Sequence, residues 1–585
     1  MNRIDWPAVA RKFGLFAAFV ICCVPIADPD LPWHLAVARR IIATGAVPRH
    51  DFLSWTMAGR PWIDFEWGAE IIFRGLECIG GGVALWMFRA ASLFLVTFLL
   101  VGLLRLWKVP RSWDGFVAPA FAAALFPAFG LRTEVFSLIF LLLEFQALER
   151  RRLGVLGVDG AVFAAWHIPF YAVWANLHAG FPAGLVICFC YGIGELRTQP
   201  DGTVPWSGLS GILGAAGTLF NPYGAGVWSV LVDHWKHLDM MRQLIQEWWT
   251  PSFLFDFLTG YWVAIAFAFA GILLILSKGY ALPDEHVAIL LIFGYLGSRS
   301  VRSTRYALLT VFPIGVAAWS NLKLSRRSRG TLAFAAAAAI CFSIWRGLRV
   351  GTHAFRLDRS TMQGTPGPEG VFAFLEKEKS TLSDLKLYNP YNWGGTFDAR
   401  LFPDYRMFID GRYIFIELLS QVDKAYRAPT AWWRFVAEHE IDLAVVENDG
   451  LILHYPWEVI GRPYSVYAWP RKEWALVYWD RDALVLVRRT AVQKGWLAAH
   501  EFKWLGPRDL HHTGLLIVGG QIRLEAVEAE IARYHREIGD PGEARALDDW
   551  LIEFKKGLRR VGRWTPPSSR KSFSPPEANL LPVRS

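Results

Sequence analysis

DPDLPWHLAVARRIIATGAVPRHDFLSWTMAGRPWIDFEWGAE, residues 28–70, is a polar, acidic and Trp-rich stretch between two apolar runs, near residues 9–27 and 83–106. An α-helix needs ~20 mainly apolar residues to cross a bilayer, and each run is close to that length. A polar segment bounded by two such runs is a loop at a membrane face. The rest of the chain reads as the scaffold that holds this loop.

Composition supports that reading. Of 585 residues, 53% are hydrophobic, and the mean hydropathy is +0.26, above an ordinary soluble domain. Apolar runs indicate about eleven transmembrane helices, near residues 9–27, 83–106, 113–128, 134–148, 160–175, 180–196, 206–220, 253–276, 284–298, 304–320 and 330–347. The first run has basic flanks but no small-x-small cleavage site, so a retained helix is expected rather than a signal peptide. The formal net charge of +9 does not indicate nucleic acid, because Lys and Arg collect in short inter-span segments and in the C-terminal tail. Arg11, Lys12, Arg105, Lys108, Arg111, Arg150 to Arg152, Arg197, Lys278, Lys323, Arg326, Arg327 and Arg329 all fall on the side of the N-terminus. The positive-inside rule makes that side cytoplasmic. An odd span count then puts the C-terminal domain on the outer face with the 28–70 loop. Arg39, Arg40, Arg49 and Arg60 in that loop run against the rule, and nearby Asp and Glu can pair with them. The six cysteines lie in or beside apolar segments without metal-ligand spacing and imply no disulfide framework.

The same topology sorts the remaining polar motifs. FGLRTEVFS (129–137), WANLHAG (174–180), LFNPYG (219–224), IQEWWTP (245–251) and GSRSVRSTRY (297–306) all fall at extracytoplasmic helix ends. Singly, each has a plain structural explanation: NPYG is a helix-ending turn, and Asn176 or His178 can cap a helix. Their convergence on one face points to one site. Arg299, Arg302 and Arg305 stand out on a face that should be poor in basic residues. An Arg near bilayer depth costs roughly 2.5 to 3.5 kcal/mol, so an anionic partner is expected. Spacing of three places them near one helical face, and a lipid phosphate is the natural bidentate partner, headgroup anchoring being the alternative.

Four regions are expected: a transmembrane domain over 1–350, an extracytoplasmic α/β domain over 351–500, a helical extension over 501–564 and a disordered tail over 565–585. In the α/β domain, LKLYNPY reads as strand and turn, YRMFIDG as a second strand, and WALVYWDRDALVLVRR as a hairpin. Tyr391, Trp393 and the pair Asp410 and Arg412 either face the membrane site or pack a core. Residues 521–560 read as two amphipathic helices joined by GDPGE. The chain has no Walker loop, dinucleotide fingerprint, HExxH or nucleophile elbow, so no nucleotide cofactor is expected.

An acidic D-x-D-type pair just outside the first span, Asp28 and Asp30, with many spans and a C-terminal extracytoplasmic domain, resembles the GT-C superfamily of polyprenyl-phosphate-sugar-dependent membrane glycosyltransferases. DPDLPWHL, PRHDFLSWT, FEWGAE, WANLHAG, NPYG and YNWGGTFDARLFPDYRMFIDGRY resemble a bacterial group within it. The resemblance implies a multi-pass protein of the bacterial inner membrane with a periplasmic C-terminal domain. It also implies transfer of a sugar, with inversion, from a polyprenyl-phosphate donor to an extracytoplasmic glycan, lipid or protein.

Mapped onto this chain, Asp28 or Asp30 would be the general base or a ligand for Mg²⁺ or Mn²⁺, with Asp28 favoured because it directly follows the span. Glu66 and Glu70, four apart, would bind acceptor or metal. His34, Arg132 and His178 are further polar candidates, and Arg299, Arg302 and Arg305 would hold the lipid phosphate. Trp33, Trp55, Trp62 and Trp67 are either a sugar-stacking platform or an interfacial belt. Two other functions fit the same sequence. A lipid-linked-sugar flippase would be expected to show internal repeats and charged residues near midplane; no convincing repeat is present, and the polar clusters sit at one membrane face. A non-catalytic envelope-assembly protein could also retain the fold.

Overall fold

The computed structural model describes residues 5–24, 28–125, 130–198, 202–322, 367–448, 450–454 and 460–560, with five isolated positions between 338 and 346. Apart from those five positions, the expected span near 330–347, the expected boundary near 350, the basic segment from Lys323 to Arg329 and the expected tail over 565–585 lie outside the described residues. The chain divides into two compact units, Met1–Gly367 with Asn389–Arg427, and Pro368–Tyr388 with Ala428–Ser585.

In the first unit, helices occupy ten of the expected span positions: α1 (Trp6–Cys22), α3 (Trp67–Leu106), α4 (Asp114–Ala124), α5 (Glu134–Arg152), α6 (Gly160–Leu177), α7 (Phe181–Thr198), α8 (Trp206–Gly217), α11 (Thr259–Ser277), α12 (Asp284–Arg299) and α13 (Val301–Ser320). Two stretches, Trp67–Leu106 and Asp256–Ser277, are long and apolar enough to cross a membrane by length and composition alone. A single hydrophobic cluster joins α1, α3 to α7 and α11 to α13. Small residues bring helices close together. A Cβ on Gly14 of α1 would lie 2.4 Å from the Gly115 carbonyl oxygen of α4, and one on Gly315 of α13 would lie 2.3 Å from Ala268 Cα of α11. Small residues at such crossings let the helix backbones approach closely. Large apolar side chains such as Phe13, Trp166, Leu273 and Leu291 point outward.

The 28–70 loop is itself structured. Pro32 near its start helps launch α2 (Leu31–Thr44), and Gly45, with φ +66°, ends it by donating to the Ile41 carbonyl. The chain then doubles back through a bridge between His50 and Pro61 before entering α3. α3 is bent at Gly80 and Gly81, the latter at φ +58° and ψ −147°. Its first three turns therefore leave the direction of the apolar stretch that follows. Two short helices, α9 (Gly226–Lys236) and α10 (Leu238–Leu244), precede α11, while α14 (Gly394–Leu401) and α15 (Ile416–Tyr426) come from the segment Asn389–Arg427.

That segment revises the expected 351–500 domain, because Asn389–Arg427 packs within the helical unit. YRMFIDG is not a strand; only Met407 forms a bridge, with Ser54 of the first loop. The second unit holds a mixed four-stranded sheet of β1 (Leu387–Tyr388), β2 (Leu443–Glu447), β3 (Trp474–Trp479) and β4 (Ala483–Arg488), in the order β1–β2–β4–β3. β1 runs parallel to β2, and the other pairings are antiparallel. β3 and β4 form the expected hairpin. Helices Leu524–Glu537 and Pro541–Arg560 occupy the expected amphipathic pair.

Candidate active site

A cavity of about 410 Å³ opens within the first unit, lined from the 28–70 loop, the ends of α5, α6, α10 and α13, and the segment Asn389–Arg427. That volume suits a small ligand group. Four of the five polar motifs reach it, through Arg132, Thr133 and Glu134, through His178, through Glu247 and Trp248, and through Arg302. The fifth, NPYG, is a turn that supports the loop from behind. Tyr223 Oη donates to the Pro48 carbonyl at 2.5 Å and accepts from the Asp64 amide at 3.0 Å.

The two acids at the loop entrance have different surroundings. Asp30 lines the cavity, whereas Asp28 lies behind it, 4% exposed. Asp28 Oδ2 accepts from Arg132 Nε at 2.7 Å, and Oδ1 accepts from the Asp30 amide at 2.9 Å. Asp30 Oδ2 is 3.1 Å from Arg132 Nη2, and Nη1 pairs with Glu247. The three nitrogens of one guanidinium thus meet three carboxylates. Arg132 holds the place where Mg²⁺ or Mn²⁺ between Asp28 and Asp30 is expected, so the acidic pair does not fit a divalent ion in this arrangement, and no step below uses one. Burial raises the Asp30 carboxyl above its ordinary range, against the opposing pull of Arg132. The backbone is closely fitted here: a Cβ on Gly411 would lie 2.2 Å from Asp30 Oδ1, and one on Gly130 would lie 2.1 Å from Asp28 Oδ2.

At the loop exit, Glu66 precedes the first turn of α3 and Glu70 lies one turn on. Glu66 lines the cavity and accepts a hydrogen bond from Thr133 Oγ1. Glu70 is fully buried behind it, where its Oε1 lies 2.8 Å from His34 Nδ1. His34 Nε2 is 3.9 Å from Glu66 Oε2, and His178 Nε2 is 3.9 Å from Glu66 Oε1. The Gly180 amide donates to His178 Nδ1 at 3.0 Å, so in the neutral ring the hydrogen sits on Nε2. That atom is buried and has no hydrogen-bond partner, in a residue that lines the cavity. Burial, and then Arg302, hold the His178 imidazole well below its usual range. Burial also pushes Glu66 up to about 8 and Asp64 up to about 7.

The three arginines do not act as one set. Ser300 is extended, at φ −151° and ψ 147°, and caps α13 by accepting from the Ser303 amide. Arg299 therefore ends α12, exposed and stacked over Tyr295, outside the cavity. Arg305 is buried and paired with Glu134 and, at 3.5 Å, with Glu247. Arg302 alone of the three lines the cavity, 3.8 Å from Glu247 and over the Trp248 ring. Of the tryptophans, Trp33 and Trp62 line the cavity; Trp67 donates to Asn176 Oδ1.

The archaeal oligosaccharyltransferase of Archaeoglobus fulgidus, tethered to an acceptor peptide, superposes on this chain with a TM-score of 0.50 and 10% identity, covering 76% of this chain and 69% of that one. The chain has the GT-C fold. A second structure of the archaeal protein, AglB with an inhibitory peptide and a dolichol phosphate, gives a TM-score of 0.49 at 10% identity, over 76% and 69% of the two chains. ArnT from Cupriavidus metallidurans, bound to undecaprenyl phosphate, gives 0.44 at 14% identity, over 84% of this chain and 100% of that one. No protein-family model and no curated protein matches the sequence.

Within this GT-C fold, Glu247 of the IQEWWTP motif binds Arg132, Arg302 and Arg305. Asp64 escapes a reading by motif, because it lies two residues before Glu66. Tyr391 and Arg412, read in sequence as facing either the site or a core, line the cavity from a segment far along the chain. Arg412 is also a structural cation, 2.7 Å from Asp51 and 2.6 Å from Asp410.

Proposed function

We propose that this protein is a glycosyltransferase of the inner membrane that takes a sugar from a polyprenyl-phosphate donor and passes it to an extracytoplasmic hydroxyl acceptor. The observation that carries the reading is the meeting of Asp30, Glu66, Arg132 and Arg302 in one cavity. It is supported by the GT-C fold and by the apolar helices that would carry the cavity to the membrane face. About eleven spans, a cytoplasmic N-terminus and a periplasmic cavity belong to the same proposal.

The donor phosphate lies against Arg302 and the edge of Arg132, whose guanidinium groups match a phosphate bidentately. Asp28 is a positioning residue that orients Arg132. The acceptor oxygen attacks the anomeric carbon from the face opposite the phosphate, the carbon–oxygen bond to phosphate breaks, and configuration inverts. The phosphate leaves as an anion and needs no proton. Asp30 takes the proton of the acceptor hydroxyl, a role that contributes about 10²- to 10⁴-fold. Glu66, protonated below about 8, donates a hydrogen bond to a sugar hydroxyl. Arg132 and Arg302 stabilise the charge that develops on the phosphate.

Purified protein in nanodiscs, given labelled polyprenyl-phosphate sugars and cell-envelope acceptors, tests this. Transfer is expected, with Asp30→Asn losing at least about 10²-fold in rate while still binding undecaprenyl phosphate, and Arg302→Gln raising KM for the donor. Absence of transfer with every donor, or unchanged transfer in Asp30→Asn, overturns it.

A further inference from the structure

A second cluster of chemically able side chains lies inside the helical bundle, apart from the cavity. Glu144 of α5, His167 of α6 and Cys188 of α7 are 2%, 4% and 0% exposed. One oxygen of each, or nitrogen or sulfur, lies within 4.8 Å of the others. Glu144 Oε1 is 3.0 Å from His167 Nε2 and 2.8 Å from Cys188 Sγ. Glu144 is ten residues along α5 from Glu134, which makes the cluster about 15 Å deeper than the cavity rim.

The histidine's orientation is informative. His167 Nδ1 lies 2.8 Å from the Phe163 carbonyl oxygen, one turn back on the same helix. A carbonyl only accepts, so Nδ1 carries a hydrogen and the neutral ring turns the lone pair of Nε2 toward Glu144 Oε1, which also only accepts when ionised. Two lone pairs cannot face each other at 3.0 Å, so either a proton or a metal cation lies between them. An Nδ1–H held by a backbone carbonyl, with Nε2 facing the ligand site, is also the arrangement that fixes the tautomer of metal-bound histidines. Tyr171 Oη, 3.7 Å from Cys188 Sγ, supplies a fourth polar atom. The packing makes room for this tyrosine: a Cβ on Gly184 would lie 2.5 Å from its hydroxyl, and one on Gly214 would lie 2.6 Å from its ring.

We infer that Glu144, His167 and Cys188 bind one Zn²⁺ that ties α5, α6 and α7 together. Imidazole, thiolate and carboxylate are the zinc donor set. Charge decides the matter within an apolar bundle: Zn²⁺ with one carboxylate, one thiolate and one neutral imidazole is neutral overall. Binding displaces the thiol proton and no charge remains to be buried. Zinc bond lengths of about 2.0 to 2.3 Å put tetrahedral donor atoms about 3.3 to 3.6 Å apart, so Glu144 Oε1 would draw back from both His167 Nε2 and Cys188 Sγ to admit the ion. The site lies apart from Asp30 and Arg302 and does not depend on the reaction proposed for them.

Elemental analysis of the full chain, purified in detergent and equilibrated with Zn²⁺, provides the test. About one zinc per chain is expected. Cys188→Ser, which keeps a hydroxyl donor for Glu144 but removes the thiolate, should weaken zinc affinity at least about tenfold. Cys190→Ser, two residues away, and Glu66→Gln in the cavity should leave zinc content unchanged. Should Cys188→Ser fail to fold, wild-type protein loaded with Co²⁺ is expected to show a thiolate-to-cobalt charge-transfer band. A wild-type chain that takes up no zinc and shows no cobalt band overturns the proposal and leaves a proton-bridged network. Zinc content undiminished in Cys188→Ser overturns it equally.

Discussion

Asp30 and Glu66 face the same cavity, yet their surroundings separate their chemistry. Two groups whose environments set different protonation states can act as base and as hydrogen-bond donor at one pH. With Asp30 ionised and Glu66 protonated to about 8, transfer should follow a bell-shaped pH profile. The rising limb belongs to Asp30, above the ordinary carboxylate range, and the falling limb near 8 belongs to Glu66. Glu66→Gln should remove the falling limb and leave the rising one, as kcat measured against pH will report. The same residue has a stability consequence of definite sign. Between the ordinary value of 4.5 and about 8, the folded chain holds a proton that the unfolded chain has released, so stability contributed here falls as pH rises through that window. Arg412 has a different part. It is 3% exposed, bound to Asp51 and Asp410, and stacked 4.6 Å over the Trp62 ring. Arg412→Met leaves two buried carboxylates without their cation, and should cost about 3 to 5 kcal/mol in thermal unfolding.

At the scale of elements, the bend in α3 places Glu66 and Glu70. A straight helix over its 40 residues would run about 60 Å, twice the hydrocarbon thickness. Gly80 and Gly81 divide it into a segment beside the cavity and a long apolar segment. Gly81 has φ +58° and nothing within 4 Å of a built Cβ, so the cost of a side chain there is backbone strain alone, with no clash. Gly81→Ala should therefore lower stability by about 1 to 3 kcal/mol, whereas Gly75→Ala, equally open but in regular helix, should be neutral or stabilising. The helices were legible because hydropathy and charge act over long windows. Short features were less so. YRMFIDG alternates like a strand, but its place is taken by one bridge to Ser54 and by the Asn389 side chain, which accepts from the Phe408 amide at 2.8 Å. The Arg299, Arg302 and Arg305 spacing suggests one helical face until Ser300 turns extended and starts a new helix.

For the whole molecule, the sequence groups the motifs that build the site but does not tell which of its acids are reachable. The positive-inside pattern groups five motifs together, and four of them line one cavity. Their order of depth depends on tertiary pairing. Asp28 directly follows the first span, yet Arg132 and the close approach of Gly130 hold it behind Asp30. Topology itself can be measured directly. Ala58 in the first loop and Val155 between α5 and α6 are both exposed, and the proposed orientation puts them on opposite sides of the membrane. In a background with Cys78 and Cys341 changed to Ser, since these are the native cysteines with exposed side chains, Ala58→Cys should react in intact spheroplasts with a thiol reagent that cannot cross the membrane. Val155→Cys should react only after permeabilisation. The reverse pattern would move the cavity to the cytoplasmic face, where an outer-leaflet polyprenyl-phosphate sugar could not reach Arg302.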